Sequence, residues 1–355
     1  MPEEQPAIYA ARPTLTVDGR TNDALTEALV ALTVTEDLAG LARCEVTLNN
    51  WGPAGDAVSY LFFDRREVDF GKTLAVKLGD DALFEGQVTA LGASYPAASS
   101  PQLTVLIDDR LQALRMTRRT RSFEDVSDAD VLQTVASEHG LQADVSLSGP
   151  THKSLAQVNL SDLAFLRERA RSLDAELWVE GRTLHARAHG SDTATPPELS
   201  RGAALWSFEA AADLAHQRTA VVVSGWDVAN KDVAKHEATD SVIQGALDGD
   251  QSGASVLSSA FGERKEQIAH ATPADADEAR ALAEAAFRAM ARRFVVGRGV
   301  AAPDARLRAG RKVKLKELGP MFDGTWLLAE VCFVYDLSEG LRVEFRADRA
   351  GIGRR

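Results

Sequence analysis

Only two cysteines, Cys44 and Cys332, occur in 355 residues. So few exclude a disulfide-dense secreted scaffold, and no Cys/His spacing points to a zinc site. Each lies in strand-like sequence and reads as a buried small hydrophobe in a reducing compartment; a disulfide between them is open but not required. No run approaches the roughly 18 apolar residues of a membrane helix, so no membrane insertion is expected. The start, Met1-Pro2-Glu3-Glu4-Gln5-Pro6, is acidic and Pro-rich, unlike a secretory signal peptide. If the protein leaves its cell, the general export route is not expected to carry it. Catalytic signatures are missing too: no Walker A loop, no His-Glu-x-x-His, no Gly-x-Ser-x-Gly and no dinucleotide fingerprint. The seven histidines are scattered. His185 and His189 are four apart, but in a strand that spacing does not set them side by side as a helix would. No catalytic residue, cofactor or metal is therefore assigned.

The bulk composition, 45% hydrophobic and 26% charged, is that of an ordinary globular protein of two or three domains. The net charge of −12 is uneven. Residues 291–355 carry 14 basic and 8 acidic groups, which leaves residues 1–290 at −18. An acidic body disfavours nucleic acid. The basic end offers a phosphate-binding surface, a protein contact or simply a solvated face.

What the sequence does have is a block that recurs. Near residue 71 it reads Gly71-Lys72, the strand Leu74-Ala75-Val76-Lys77-Leu78-Gly79, Phe84-Glu85-Gly86, Leu103-Thr104-Val105 and Asp109-Arg110. Near residue 310 it reads Gly310-Arg311, Val313-Lys314-Leu315-Lys316, Phe322-Asp323-Gly324, Leu341-Arg342-Val343 and Asp348-Arg349. The landmarks keep offsets of 238–239 over about forty residues. We read this as an internal duplication of a small β-domain with other material between the copies. Three such chains would present six similar units, a way to join a six-fold ring to a three-fold object.

Segments 14–18, 29–36, 43–49, 73–78, 83–91 and 103–108 read as strands separated by Gly, Asn, Asp and Pro, as in a small barrel or sandwich. Ser127 with Asp130 forms a capping box ahead of Val131, Leu132, Val135 and Ala136, and Gly140 is a C′ stop. A second helix from Ser161 carries Leu163, Leu166, Ala170 and Leu173 on one stripe. A hairpin, 175–180 and 183–188, follows across Gly181-Arg182. Residues 190–202, with Pro196-Pro197, read as a linker, and strands resume at 204–209 and 218–226. The Gly- and Ser-rich stretch 240–272 is expected to be a long loop, partly mobile unless a partner orders it. Thr272-Pro273 opens the longest helix, 273–294, with Ala279, Leu282, Ala286, Met290 and Phe294 as its apolar positions. The fold class is thus mainly β with an α/β insert: a first tube-like barrel over 1–110, the insert over 111–190 and a second barrel over 191–355.

Two features invite a sharper reading. Phe84-Glu85-Gly86 and Phe322-Asp323-Gly324 each place a core Phe, a solvent-facing acid and a Gly allowing a tight bend, which also suits a strand at a subunit edge. Asp108-Asp109 could form a carboxylate dyad, but adjacent strand residues face opposite ways. A turn, or a salt bridge to Arg110, fits better.

In order and spacing these segments resemble the phage late control D family, the tail hubs of contractile phages and related injection systems. Four stretches carry the likeness: Phe84-Glu85-Gly86-Gln87-Val88-Thr89 with Leu103 to Arg110; Ser161 to Leu173 with Glu176-Leu177-Trp178-Val179; Val221-Val222-Val223-Ser224-Gly225-Trp226-Asp227; and the block from Gly310. The resemblance implies a homotrimer whose two barrels per chain make a pseudo-six-fold ring. That ring caps a hexameric inner tube on one side and seats a trimeric spike on the other, among other baseplate proteins. It implies assembly in the cytoplasm into a phage-tail-like particle, no catalytic residues and, since the chain ends at Arg355, a spike on a separate polypeptide. Asp109, Arg110, Asp348, Arg349 and the two Phe-acid-Gly motifs are the interface candidates. Another tail or baseplate adaptor, or an envelope-polymer hydrolase on such a scaffold, is the alternative. The former would not need two copies per chain, and the latter would need convergent carboxylates.

Overall fold

The computed structural model describes residues 12–38 and 40–354; the acidic start, residues 1–6, lies outside them. Strands β1 (Thr14–Val17) and β2 (Arg20–Thr21) lead to helix α1 (Asp23–Ala28), whose N-cap Asn22 accepts from Leu25 N–H. Next come β3 (Leu29–Asp37), β4 (Arg43–Asn49), the hairpin β5 (Gly52–Ala54) and β6 (Ala57–Ser59), β7 (Thr73–Leu78), β8 (Asp81–Ser94) and β9 (Gln102–Asp108). Alternation decides these strands: in β4, Cys44, Val46 and Leu48 are buried while Arg43 and Glu45 face out.

The insert follows: α2 (Gln112–Arg115), β10 (Arg118–Ser127), α3 (Asp128–Glu138), β11 (Gln142–Ser146), β12 (Thr151–Ser161), α4 (Asp162–Ser172), β13 (Ala175–Glu180) and β14 (Thr183–Ala188). The capping box is present: Asp130 N–H donates to Ser127 Oγ at 3.2 Å and Ser127 N–H to Asp130 Oδ2 at 2.9 Å. Gly140 takes φ +66°, as a C′ glycine should. Val131, Leu132, Val135, Leu163, Phe165, Leu166, Leu177 and Leu184 share one core.

The chain then forms β15 (Glu198–Ser200), β16 (Leu205–Ala212), β17 (Ala220–Asp227), β18 (Asp232–Ala238), a 3₁₀ turn (Asp240–Ala246), β19 (Gln251–Ser252), α5 (Gly253–Phe261), β20 (Lys265–Ile268), α6 (Ala276–Arg292), β21 (Val295–Ala301), β22 (Lys312–Lys316), β23 (Gly324–Asp336), β24 (Gly340–Arg349) and β25 (Gly351–Ile352).

The expected pair of separate barrels is not what these strands build. β3 pairs with β23 over seven residue pairs, so both β-rich regions share one thirteen-stranded sheet. Its main path runs β16-β21-β24-β23-β3-β4-β9-β8-β7-β1-β2 and ends in open edges; among the described residues no closed barrel forms. One core accordingly takes Leu15, Val34, Val46 and Ile107 together with Leu315, Trp326, Phe333 and Val343. The cause is strand length. β22 covers only residues 324–327 of β23, and β3 covers residues 330–336 of the same edge, which removes an unpaired edge.

The two regions pair in the same order, β1-β7-β8-β9-β4-β3 in the first and β15-β22-β23-β24-β21-β16 in the second. Bulges recur at matching rungs, at Thr89 and Ala329 on the long strands and at Val30 and Trp206 on β3 and β16. Gly71 N–H donates to Val88 O and Gly310 N–H to Leu328 O, at 2.9 and 2.8 Å. Along the long strands, however, matching rungs lie 240 apart: Gln87 and Leu327 pair with Asp108 and Asp348. The sequence match of Phe84 with Phe322 and of Asp109 with Asp348 is therefore out of step by two residues and by one.

Four further expectations change. The linker contains β15, parallel to β22 and tied by Lys314 and Lys316 to Glu198. Residues 240–272 are not a long loop. The chain itself orders them: β19 pairs with β25, Ser252 caps α5 and donates to Asp240, and Gly253 sits tightly against the Phe294 ring. α6 starts at Ala276 behind the N-cap Asp275, because Pro273 is engaged against Gly225 of β17. Its buried face is Ala279, Ala283, Phe287 and Ala291, while Leu282, Ala286 and Met290 flank it. β17 does not enter the large sheet; it forms a separate sheet, β18-β17-β20, under α6.

Candidate assembly surface

β8 and β23 are unusually long, 14 and 13 residues, and each outruns its short neighbour. On β23 the surplus is covered by β3. On β8 the corresponding stretch, residues 90–94, has no ladder partner on the β7 side among the described residues. Tyr335 near the end of β23 is opposite Leu32 and 5% exposed; Tyr95, 240 residues earlier, is 63% exposed. Around Tyr95 stands an aromatic lip: Trp51, Tyr60 and Phe63, with ring centroids 5.0–6.4 Å apart in successive contacts. At the far end of the sheet, among the described residues, β16 forms a ladder only with β21, and an isolated bridge joins its first residue, Leu205, to Arg201. Its bulge residue Trp206 is exposed, while Phe208 lies over Gly297 and Gly299, where a Cβ would stand within 2.2 and 3.0 Å of the ring.

The motif residues serve the hairpins rather than converging on one site. Phe84 is buried, Glu85 is exposed, and a Cβ on Gly86 would stand 2.4 Å from Asp108 O. Phe322 is half-buried and its carbonyl accepts from Trp326 Nε1 at 3.1 Å. Asp323 is exposed and accepts from Leu318 N–H at 2.6 Å; a Cβ on Gly324, at φ +135°, would meet the Arg349 guanidinium at 2.6 Å. Asp108 is buried between Arg43 and Arg115, each at 2.8 Å, and Asp109 accepts from Ala42 and Leu111 N–H. Of the two readings, a turn or a bridge to Arg110, these contacts show the turn: Asp109 accepts from Leu111 N–H two residues on, and half-buried Arg110 is not among its partners. Asp348 pairs with Arg346 at 2.9 Å, and Arg349 pairs with Asp250 and lies over the Trp326 ring.

Sequence reasoning missed the junction of the insert with the sheet. Leu177 O packs over Gly40, and the Glu176 carboxylate sits where a Cβ on Gly310 would be. Burial lifts Asp109 and Glu176 to about 7 each, against backbone donors on the first and Arg187 and Arg311 near the second. Burial also raises Glu36, although it pairs with Arg308. These groups line a cavity of about 450 Å³. A second cluster ties the insert to α6. His152 bonds Asp128 at 3.2 Å and Glu278 at 2.5 Å, which lifts its pKa to about 9. Burial works against ionised Asp128, but His152 and Arg169 outweigh it and hold its carboxyl low. Asp174 grips Arg292 with two bonds, 2.6 and 2.9 Å. Among the described residues, no group of three or more His, Cys, Asp or Glu is placed to hold a metal. Cys44 and Cys332 are free thiols.

The basic excess of residues 291–355 is largely matched inside the chain. Arg292, Arg308, Arg311, Lys314 and Lys316, and Arg349 pair with Asp174, Glu36, Asp192, Glu198 and Asp250, all from the acidic part.

The fold is similar to those of solved phage tail proteins. It matches the 43 kDa tail protein of prophage MuSo2 from Shewanella oneidensis at TM-score 0.71 and 14% identity, over 96% of this chain and 98% of that one. A tail protein from Neisseria meningitidis MC58 matches at 0.65 and 13%, over 96% and 97%. The E. coli c3393 protein, a component of the type VI secretion system, matches at 0.60 and 12%, over 96% and 78%. The chain belongs to the family described as the Alg8 N-terminal domain, whose model matches residues 13–336. That description differs from the late control D family of the resemblance, and it names a domain without an activity. No curated protein matches the chain.

Proposed function

We propose that the protein is a structural, non-enzymatic component of a contractile tail or injection-system baseplate: a hub of the late control D type. Three chains form a ring that joins a hexameric inner tube to a trimeric spike, alongside other baseplate proteins, in a particle assembled in the cytoplasm. One observation carries this reading. The same six-strand pairing order occurs twice in one chain, with five strands in the same relative directions, β15 alone reversed against β1, and two bulges at matching rungs, so three chains offer six similar units. We read the two runs as a duplication, with residues 1–110 and 191–355 as its halves and 111–190 as the insert. The likeness of fold to phage tail and type VI proteins supports the setting. In this reading Gly86 and Gly324 hold the long strands close to their neighbours, while the exposed Glu85 and Asp323 are the motif residues able to meet another subunit.

The test is the mass of the full chain in solution, by native mass spectrometry and light scattering, alone and with candidate spike and tube proteins. A trimer, alone or with the spike, is expected. A chain that stays monomeric with every such partner would overturn the reading.

A further inference from the structure

The strongest unexplained feature is that, among the described residues, one of two matching strand edges is covered and the other bare. On β23, residues 330–336 are paired by residues 31–37 of β3, from Glu330 opposite Asp37 to Asp336 opposite Ala31. The matching rungs translate β23 into β8 by 240 residues and β3 into β16 by 176. Bare residues 90–96 thus correspond to the covered edge, and residues 207–213 to the strand that covers it. Within one chain these two stretches lie toward opposite ends of the sheet path and do not pair.

We propose that the free edge of β16 in one copy of this chain pairs antiparallel with residues 90–96 of β8 in a second copy, repeating between chains the joint that β3 and β23 make within one. The register follows by translation. Asp213 faces Ala90, Ala212 faces Leu91, Ala211 faces Gly92, Ala210 faces Ala93, Glu209 faces Ser94, Phe208 faces Tyr95 and Ser207 faces Pro96. No rung opposes two like charges, and the bulky rung is aromatic on aromatic, as Leu32 on Tyr335 is bulky within the chain. The one proline falls at the last rung, where a lost N–H matters least. Side-chain burial agrees. Leu32, Val34, Val331, Phe333 and Tyr335 are all buried by the inner joint, whereas Phe208 and Leu91 are half-buried and Ala93 and Tyr95 exposed. The bare set is what the covered set would be with its partner removed.

Because the donor and acceptor edges are different surfaces, the contact is head-to-tail: each chain gives β16 to one neighbour and receives β16 from the other. The proposal rests on the ring reading and specifies its joint. It also reduces the edge problem, since the edges of β16 and of residues 90–96 are consumed by the same contact, which leaves those of β2 and β15.

The full-length variant carrying Ala93→Cys and Ala210→Cys tests the register. Under mild oxidation it is expected to give covalent species ending at three chains on a non-reducing gel, with a 93–210 linked peptide by mass spectrometry. Each single variant, and the pair Ala93→Cys with Ala212→Cys, is expected to give far less. Tyr95→Lys, at a site exposed in the single chain, is expected to weaken self-association by roughly tenfold or more while leaving the far-ultraviolet circular dichroism unchanged. Oligomers that form without the 93–210 link, or that form equally well with Tyr95→Lys, overturn this joint and leave the ring reading standing. A chain monomeric under all conditions, with no link, removes both.

Discussion

Gly310 shows how much one position can carry. Its φ of +82° is open to glycine, and the space where a Cβ would stand holds a Glu176 carboxylate oxygen at 1.8 Å. Gly310→Ala is expected to cost about 2–4 kcal/mol, read by urea denaturation. Protonation gives a second test. Asp109 and Glu176, lifted to about 7, favour their neutral forms in the folded state. Their contribution is intact below the ordinary carboxylate range and is lost as pH rises toward 7. His152, lifted to about 9, contributes as a cation, fully below about 6.5 and progressively less up to about 9. Depressed carboxyls such as Asp128 and Glu278 act the other way and lose their contribution in acid. Thermal midpoints from pH 3 to 9 should therefore peak on the mildly acidic side, near about pH 5. Asp109→Asn should flatten the fall between pH 4 and 7. His152→Gln should cost about 3 kcal/mol at pH 6, since it leaves Asp128 and Glu278 without their shared cation.

Elements were legible where burial is one-sided. β4, β7 and the β13–β14 hairpin fall on the residues expected: β4 and β14 alternate in burial, whereas β7 and β13 each bury three residues in a row and are marked by the turn-formers that flank them. The capping box at Ser127 was equally plain. β10 and β12 were missed because they form a two-stranded ribbon with little buried on either face, so charges such as Arg119 and Arg121 interrupt any period. The stretch 240–272 misled through composition: its glycines and serines cap and pack short elements. Limited proteolysis should leave it uncut under conditions that digest the urea-unfolded chain. The joint between β3 and β23 gives a contrast of matching positions. Phe333→Ala is expected to cost about 3–5 kcal/mol, since the ring is fully enclosed. Ala93, its bare counterpart, should tolerate Ser within about 0.5 kcal/mol in the single chain.

At the scale of the whole molecule, the sequence revealed the recurrence but not how its two parts meet. The offset of 238 came from matching Phe84-Glu85-Gly86 with Phe322-Asp323-Gly324, which sit on different rungs, whereas hydrogen-bond partners give a step of 240 along the long strands and 239 between β7 and β22. Nor does composition disclose that the basic end and acidic body neutralise one another. Both follow from contacts between residues hundreds of positions apart, such as Arg308 with Glu36. A fragment ending at residue 290 should consequently fail to give a soluble, cooperatively melting product. It would lose the cover of β3, the cations facing Glu36 and Asp174, and half of the main core.

The seven-pair ladder between β3 and β23 also has a mechanical side. A pull directed along the strands loads all its hydrogen bonds together, in shear. A pull across them opens the bonds one at a time from an end. The seam is therefore stiff against sliding and weak against peeling, and a part built on it transmits thrust along its strands far better than it withstands being prised apart.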